Sequence, residues 1–387
     1  MMSAMADAPT LEEQADRAAA AGQFDAARSL LLRAVERHDG TLDLWVKLSA
    51  MCKASGDLKG ALSAIDRALV LSPLDFSVLL ARAVILDGMR DPGAGEAFGH
   101  ALAQLGSDED VPEPMKPAVA QARKRRDAHQ RALEQNLAES LPAGLPAEVK
   151  ARAGRFISNR AHCTRHFHQE PSDFHYPGMP EIEFHDPALF AGLTSLEAAT
   201  PVIRAEFDAL IAAEAAEMVP YIQYPERVPT RQWKELNHNR KWTAIHLLQN
   251  GRSVEANARH CPETLAVIAG MDQPVVAGAS PNAMFSLLAP RTRIPPHTGV
   301  ANTRLVCHLP LIVPPGCGFR VGETRREWRV GEAFVFDDTI EHEAWNDSDE
   351  LRVVLIIDLW PPALGASDRA AVSAVIGASN ATFMGQA

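Results

Sequence analysis

The spacing of apolar positions changes along this chain, and the change divides it. From about residue 11 to residue 106 apolar residues recur at helical spacing, alanine and leucine dominate, and β-branched runs are nearly absent. The segment GQFDAARSLLLRAVERH, with Ala27 and Ala34, returns 34 residues later as GDLKGALSAIDRALVLSP, with Ala61 and Ala68. A looser third copy, RDPGAGEAFGHALAQLG, puts Ala94 and Ala101 a further 33 residues along. Small residues at these points let antiparallel helices approach closely, while Trp45, Leu48, Ile65 and Leu69 fill the seam between repeats and Pro73 ends the second copy.

From Trp242 onward the rhythm shortens. TAIHLLQ, AMFSLLA, TRLVCHLPLIV, GFRVG, REWRV, EAFVFDD and LRVVLIIDLW read as short strands between glycine and proline turns, the pattern of an antiparallel sandwich or jelly roll. Between the two regimes, Pro112, Pro114 and Pro117 lead into a charged helical stretch that LPAGLPAEVK ends, and a further helix is predicted around Ser195 to Ala215. These shifts predict helical repeats over 1–110, a helical linker over 111–151 and a β-rich domain over 152–387.

A length of 387 residues with 47% hydrophobic content is enough core for two domains. The net charge of -11 counts against a general nucleic-acid binder, and the local run Arg123 to Arg126 reads as a solvated helix face. No apolar segment approaches the ~20 residues of a membrane span, and MMSAMADAPTLEEQ lacks the basic-then-apolar order of a signal sequence, which predicts a cytoplasmic chain. Five cysteines without a CxxC pair predict reduced thiols. In the run His162, Cys163, His166, His168 an i,i+4 histidine pair on a helix can hold zinc, but no acidic ligand follows at helical spacing, so it reads as polar surface.

The β-rich region carries the candidate chemistry. His297 opens HTGVANTRLVCH and His342 lies in FDDTIEHEAWN, so in a barrel both reach the open end, where imidazoles suit ferrous iron. Non-haem oxygenase sites add a carboxylate two residues after the first histidine, and that place is Gly299. Water is the preferred occupant; Asp337, Asp338, Glu341 or a halide, as in iron halogenases, are the alternatives. Asp337 and Asp338 read as loop braces or as groups orienting His342. Arg352 enters an otherwise apolar strand, where a guanidinium costs several kcal/mol unless it meets an anion such as a bound carboxylate. Ser286, on a neighbouring predicted strand, can add a hydroxyl to the same carboxylate. Arg304, Val306 and His308 alternate along one strand face, which points His308, and Arg304 with it, inward.

Two family resemblances follow from these residues. The first quarter resembles the tetratricopeptide repeat, with Ser49 and Cys52 departing from its usual glycine and tyrosine. That resemblance implies recruitment of a peptide or protein partner; a helical spacer or homodimerisation arm is the plainer alternative. The run from HTGVANTRLVCHLPLIVP through RVVLIIDLWPP resembles the aspartyl/asparaginyl β-hydroxylase family, with looser likeness back to FHYPGMPEIEFHD and KWTAIHLLQNG. It implies a double-stranded β-helix, the cupin-like jelly roll, with flanking helices. It also implies an Fe(II)- and 2-oxoglutarate-dependent dioxygenase that uses O2 to hydroxylate an Asp or Asn side chain of a protein or peptide, without nucleic acid. By position, His297 and His342 match the iron ligands, Gly299 the carboxylate-less place, and Ser286 and Arg352 the holders of the distal carboxylate of 2-oxoglutarate. His308 matches a contact to its metal-proximal end, and Trp242 a tryptophan bordering the substrate cleft. Where relatives often carry arginine this chain has Val306, with Arg304 the candidate to compensate. A metal- or 2-oxoglutarate-binding interaction protein without turnover is the alternative from another class.

Overall fold

The computed structural model describes residues 10–37, 40–106, 111–225 and 231–384, and the chain forms two compact units, Met1–Arg165 and His166–Ala387. No helix among the described residues is long and apolar enough to cross a membrane.

The first unit is all helical: α1 (Leu11–Ala20), α2 (Phe24–Arg37), α3 (Leu42–Ala54), α4 (Leu58–Leu71), α5 (Phe76–Gly88), α6 (Ala94–Leu102), α7 (Lys116–Glu139) and α8 (Ala147–Arg160). Thr10, Thr41, Asp57 and Asp75 cap their helices by accepting from backbone N–H groups that the first turn leaves unpaired. All six repeat alanines, Ala27, Ala34, Ala61, Ala68, Ala94 and Ala101, are buried at helix contacts. Ser49, the departure from glycine, is buried too, and its hydroxyl donates to Ala61 O on the facing helix at 2.8 Å, so the polar atom is satisfied. The stretch read as a linker contains a 24-residue helix, α7, that packs on α6 through Ala122 and ties His129 to Asp87 at 2.9 Å. The run Arg123–Arg126 lies on α7, where Arg125 and Arg126 meet Asp87 and Asp127. After α8 the chain turns at His162, which has a φ of 56°, so the histidine run is not helical as the i,i+4 reading required.

The second unit opens with α9 (Leu193–Ala198) and α10 (Thr200–Ala212) and adds α11 (Glu255–Ala258), α12 (Pro262–Ala269) and α13 (Ala366–Met384) around two antiparallel sheets. The strands are β1 (Val219–Pro220), β2 (Trp242–Gln249), β3 (Arg252–Ser253), β4 (Ala283–Leu288), β5 (Thr292–His297), β6 (Leu305–Ile312), β7 (Cys317–Val321), β8 (Thr324–Arg326), β9 (Phe334–Phe336), β10 (His342–Asn346) and β11 (Arg352–Leu359). One sheet runs β1-β2-β4-β11-β6-β9 with β3 beside β2, and the other runs β5-β10-β7-β8. β11 shows the layering by its alternation. Val353, Leu355 and Ile357 pack with Ile203, Phe207 and Leu210 of α10, while Val354 and Ile356 pack with Phe319, Val321 and Ala344 of the opposite sheet. The face between the sheets therefore also receives Arg352 and Asp358.

Two strands that the apolar pattern does not predict, β5 and β10, carry the histidines. TRIPPH contains Pro295 and Pro296, which an edge strand tolerates, and β5 is the edge of its sheet. His297 closes β5 rather than opening a strand, whereas REWRV is strand only at its first residue.

Candidate functional site

β5 and β10 run antiparallel with His297 and His342 as direct partners, and a bulge follows His342. The pairing brings the two imidazoles to a centroid separation of 4.0 Å. Nδ1 of His297 lies 2.8 Å from Pro295 O, and Nδ1 of His342 lies 3.1 Å from Ile340 O. A carbonyl only accepts, so each Nδ1 carries the proton and each Nε2 keeps its lone pair for a metal. Burial favours the neutral rings: it lowers the pKa of His297, and burial together with neighbouring His297 sets His342 well below the ordinary histidine value. Among the described residues no third His, Cys or carboxylate ligand atom joins this pair within 4.8 Å. The donor set is thus two neutral imidazoles, which fits a divalent transition metal that completes its shell with small ligands.

The histidines line a cavity of about 270 Å³ whose walls include Ser286, Arg304, His308, Arg352 and Trp242, with Gly299 and Asp338, whereas Asp337 and Glu341 do not line it. Arg352 is 1% exposed, and among the described residues no carboxylate stands within ion-pair distance of it. Its guanidinium lies over the Trp328 ring at 4.9 Å, its Nε has no hydrogen-bond partner, and burial pulls its pKa down to about 10. A buried cation in this state calls for an anion. Ser286 accepts from Trp242 Nε1 at 3.1 Å, which directs its own O–H elsewhere. His308 sits among Phe319, Phe334 and Phe336 with Nδ1 unpartnered, and burial followed by the nearby Arg352 charge keeps it neutral.

Arg304 differs from Arg352. Its Nη2 donates to Asp338 Oδ2 at 3.0 Å and its Nη1 lies 3.6 Å from Asp358 Oδ1. Burial opposes its charge, but the Asp338 and Asp358 carboxylates more than offset this, and its pKa ends above the ordinary value. Protein carboxylates therefore already neutralise Arg304, and Arg352 is the cation left uncompensated on this wall. Asp338 also explains Gly299. A Cβ at 299 would collide with the Asp338 carboxylate, and the Gly299 N–H donates to Asp338 O at 2.6 Å. Burial pushes the Asp338 carboxyl up to about 6 against the pull of Arg304. Asp337 instead braces its own turn by accepting from Thr339 N–H at 2.9 Å.

Sequence reasoning missed the aromatic wall. Tyr221 stacks on Trp242 at 3.8 Å, Trp233 stands edge-on to His297 at 5.0 Å, and Trp328 underlies Arg352. Isolated aromatics in turns carry no periodic signal. Asp358 was detectable, since it breaks the same apolar run that drew attention to Arg352.

Fold and site together define a two-sheet protein with a paired-histidine centre and a buried cation facing one cavity. Residues 197–362, within the second unit, match the family described as aspartyl/asparaginyl beta-hydroxylase. It is similar to human aspartate beta-hydroxylase domain-containing protein 2, 30% identical over 224 residues, covering 57% of this chain and 57% of that protein. It is similar to the ornithine lipid ester-linked acyl 2-hydroxylase of Rhizobium tropici, 33% identical over 188 residues (48% of this chain, 62% of that one). With the mouse aspartyl/asparaginyl beta-hydroxylase it shares 32% identity over 143 residues, 37% of this chain and only 19% of the relative. The chain thus spans between about a fifth and three fifths of the length of these relatives. Among solved structures the helical unit is similar to the Arabidopsis OM64 TPR domain at a TM-score of 0.27 and 18% identity, covering 31% of this chain and 93% of that one.

Proposed function

We propose that this chain is an Fe(II)- and 2-oxoglutarate-dependent dioxygenase that hydroxylates the β-carbon of an Asp or Asn side chain in a protein or peptide recruited by its helical repeats. The observation that carries the reading is Arg352, a fully buried guanidinium with no carboxylate in ion-pair distance among the described residues, on the wall of the cavity that holds two neutral imidazoles. A dicarboxylic acid answers both demands, with one carboxylate on Arg352 and Ser286 and its keto-acid end toward His297 and His342. Iron with 2-oxoglutarate and O2 supplies the oxidant that inserts one oxygen atom into an unactivated C–H bond, releasing CO2 and succinate. The strand orders β4-β11-β6-β9 and β5-β10-β7-β8 support a jelly-roll scaffold for this chemistry.

The chain's own residues set up the reaction. Pro295 O and Ile340 O hold both histidines in the tautomer that binds metal. Trp242 Nε1 fixes the Ser286 hydroxyl, and the aromatic wall keeps the site dry enough for the Arg352 charge to act at full strength. Asp338 fills the space that a side chain at 299 would occupy, which keeps that position a glycine. For the acceptor, the Arg304–Asp338 pair, joined at 3.0 Å, offers a polar patch on the same wall. The test is succinate release and a one-oxygen mass gain with matched Asn and Asp peptides. Turnover whose requirement for 2-oxoglutarate is unchanged in Arg352→Ala, or no turnover of either peptide, would count against the assignment.

A further inference from the structure

We propose that His166, His168 and Glu181 form a second metal site, for a zinc-class divalent cation, separate from the paired-histidine centre. None of the three lines the cavity that contains His297 and His342. Because α8 ends at Arg160, the chain reaches His166 and His168 in a non-helical stretch, where residues two apart project to one side. His166 Nδ1 lies 2.9 Å from His168 Nε2, and His168 Nδ1 lies 3.2 Å from each Glu181 oxygen. One ligand atom from each residue falls within 4.8 Å of the other two, the only such grouping among the described residues.

The hydrogen bonds already set the chemistry. A carboxylate only accepts, so His168 Nδ1 donates to Glu181 and its Nε2 carries a lone pair toward His166 Nδ1. The His166 proton between the two nitrogens stands where a cation fits, and Glu181 either orients His168 or turns in as the third ligand. Two nitrogens on tetrahedral zinc, each about 2.0–2.1 Å from the metal, stand ~3.4 Å apart, so the rings need to separate by about half an ångström. The side chains are exposed and free to make that shift.

Backbone contacts hold the ligands in place before any cation arrives. The Gln169 N–H donates to Glu181 Oε1 at 3.0 Å, and Gln169 Nε2 donates to Pro180 O at 3.3 Å, which clamps the glutamate's loop to the histidines' segment. That segment continues along the two loops that adjoin the histidine-bearing strands of the first centre. The Glu170 N–H donates to Thr339 O at 2.8 Å, and the Ser172 and Phe174 N–H groups donate to Gly299 O and Val300 O at 3.0 and 2.9 Å. A cation on His166, His168 and Glu181 therefore cross-links the start of a strap that packs against residues 299–300 and 339.

The test is calorimetric titration of the tag-free full chain with zinc chloride in a His297→Ala/His342→Ala background. One equivalent of zinc is expected to bind in the micromolar range or tighter, and adding His166→Ala and His168→Ala is expected to abolish it. Cobalt(II) in place of zinc should give a visible d–d band that the same two substitutions remove. Absence of zinc binding in the first background, or its survival after loss of both histidines, overturns the proposal. Because His297 and His342 are already absent, failure of the oxygenase reading leaves this result unchanged, and the reverse also holds.

Discussion

Replacing Arg352 by Met should make the ligand-free protein more stable and at the same time deaf to 2-oxoglutarate. Burial pulls the Arg352 pKa down from the ordinary guanidinium value to about 10, and at ~1.4 kcal/mol per unit that is about 3 kcal/mol against the charged form. The sign follows from linkage. Between the folded value of about 10 and the higher unfolded value the unfolded chain binds the proton more tightly than the folded one, so the penalty stands in full below about pH 10 and fades as pH rises above it. Methionine of similar length removes the penalty but also the contact with Trp328, worth about 1–2 kcal/mol when desolvated. The net gain is about 1–2 kcal/mol, or roughly 3–6 °C in Tm for a unit of this size. Wild-type protein at a hundredfold excess of 2-oxoglutarate over its Kd should instead gain about 2.7 kcal/mol, and the variant nothing. Differential scanning calorimetry with manganese in place of iron, with and without 2-oxoglutarate, reads both effects. A less stable ligand-free variant, or one whose Tm still rises with 2-oxoglutarate, would refute the reasoning.

Three further outcomes follow from the same geometry. Gly299→Ala should destabilise the fold through its collision with Asp338, and a double-mutant cycle with Asp338→Ala should return a coupling of about 1 kcal/mol or more; additive effects would mean the two do not touch. Asp338 has a folded pKa of about 6, above its usual 3.8, so the folded state binds the extra proton between those values and stability from this group falls as pH rises through them; the pH–Tm curve of Asp338→Asn should lack that fall. Ser286→Ala should raise the KM for 2-oxoglutarate by roughly tenfold to a hundredfold, the worth of one hydrogen bond to a charged group, with iron affinity unchanged by equilibrium dialysis.

Much of this architecture was legible because burial imposes a period. The repeat alanines mark helix contacts, and β2, β4, β6, β7, β9 and β11 show as apolar runs because one or both of their faces are covered. β5 and β10 escaped that test, since an edge strand with two prolines and a short strand alternating His, Ala and Asn with Glu and Trp carry too few apolar positions. The site was legible where a residue violated its surroundings, as Arg352 does. Arg304 shows the limit of such reading: its inward face could be inferred from alternation, but its two carboxylate partners lie 34 and 54 residues away in sequence and meet it only in the folded unit.

The two prolines of β5 also limit how an acceptor can approach. Pro295 and Pro296 remove two successive N–H donors next to His297, and because strand N–H groups alternate in direction, one of the two is lost from the open side of the sheet. An incoming polypeptide cannot extend the ladder there by laying its own backbone alongside, and stray copies of the chain cannot aggregate by that route either. On the proposed reading, recognition at this border falls to a side chain reaching inward, which suits one residue presented at an exposed bend more than an extended segment.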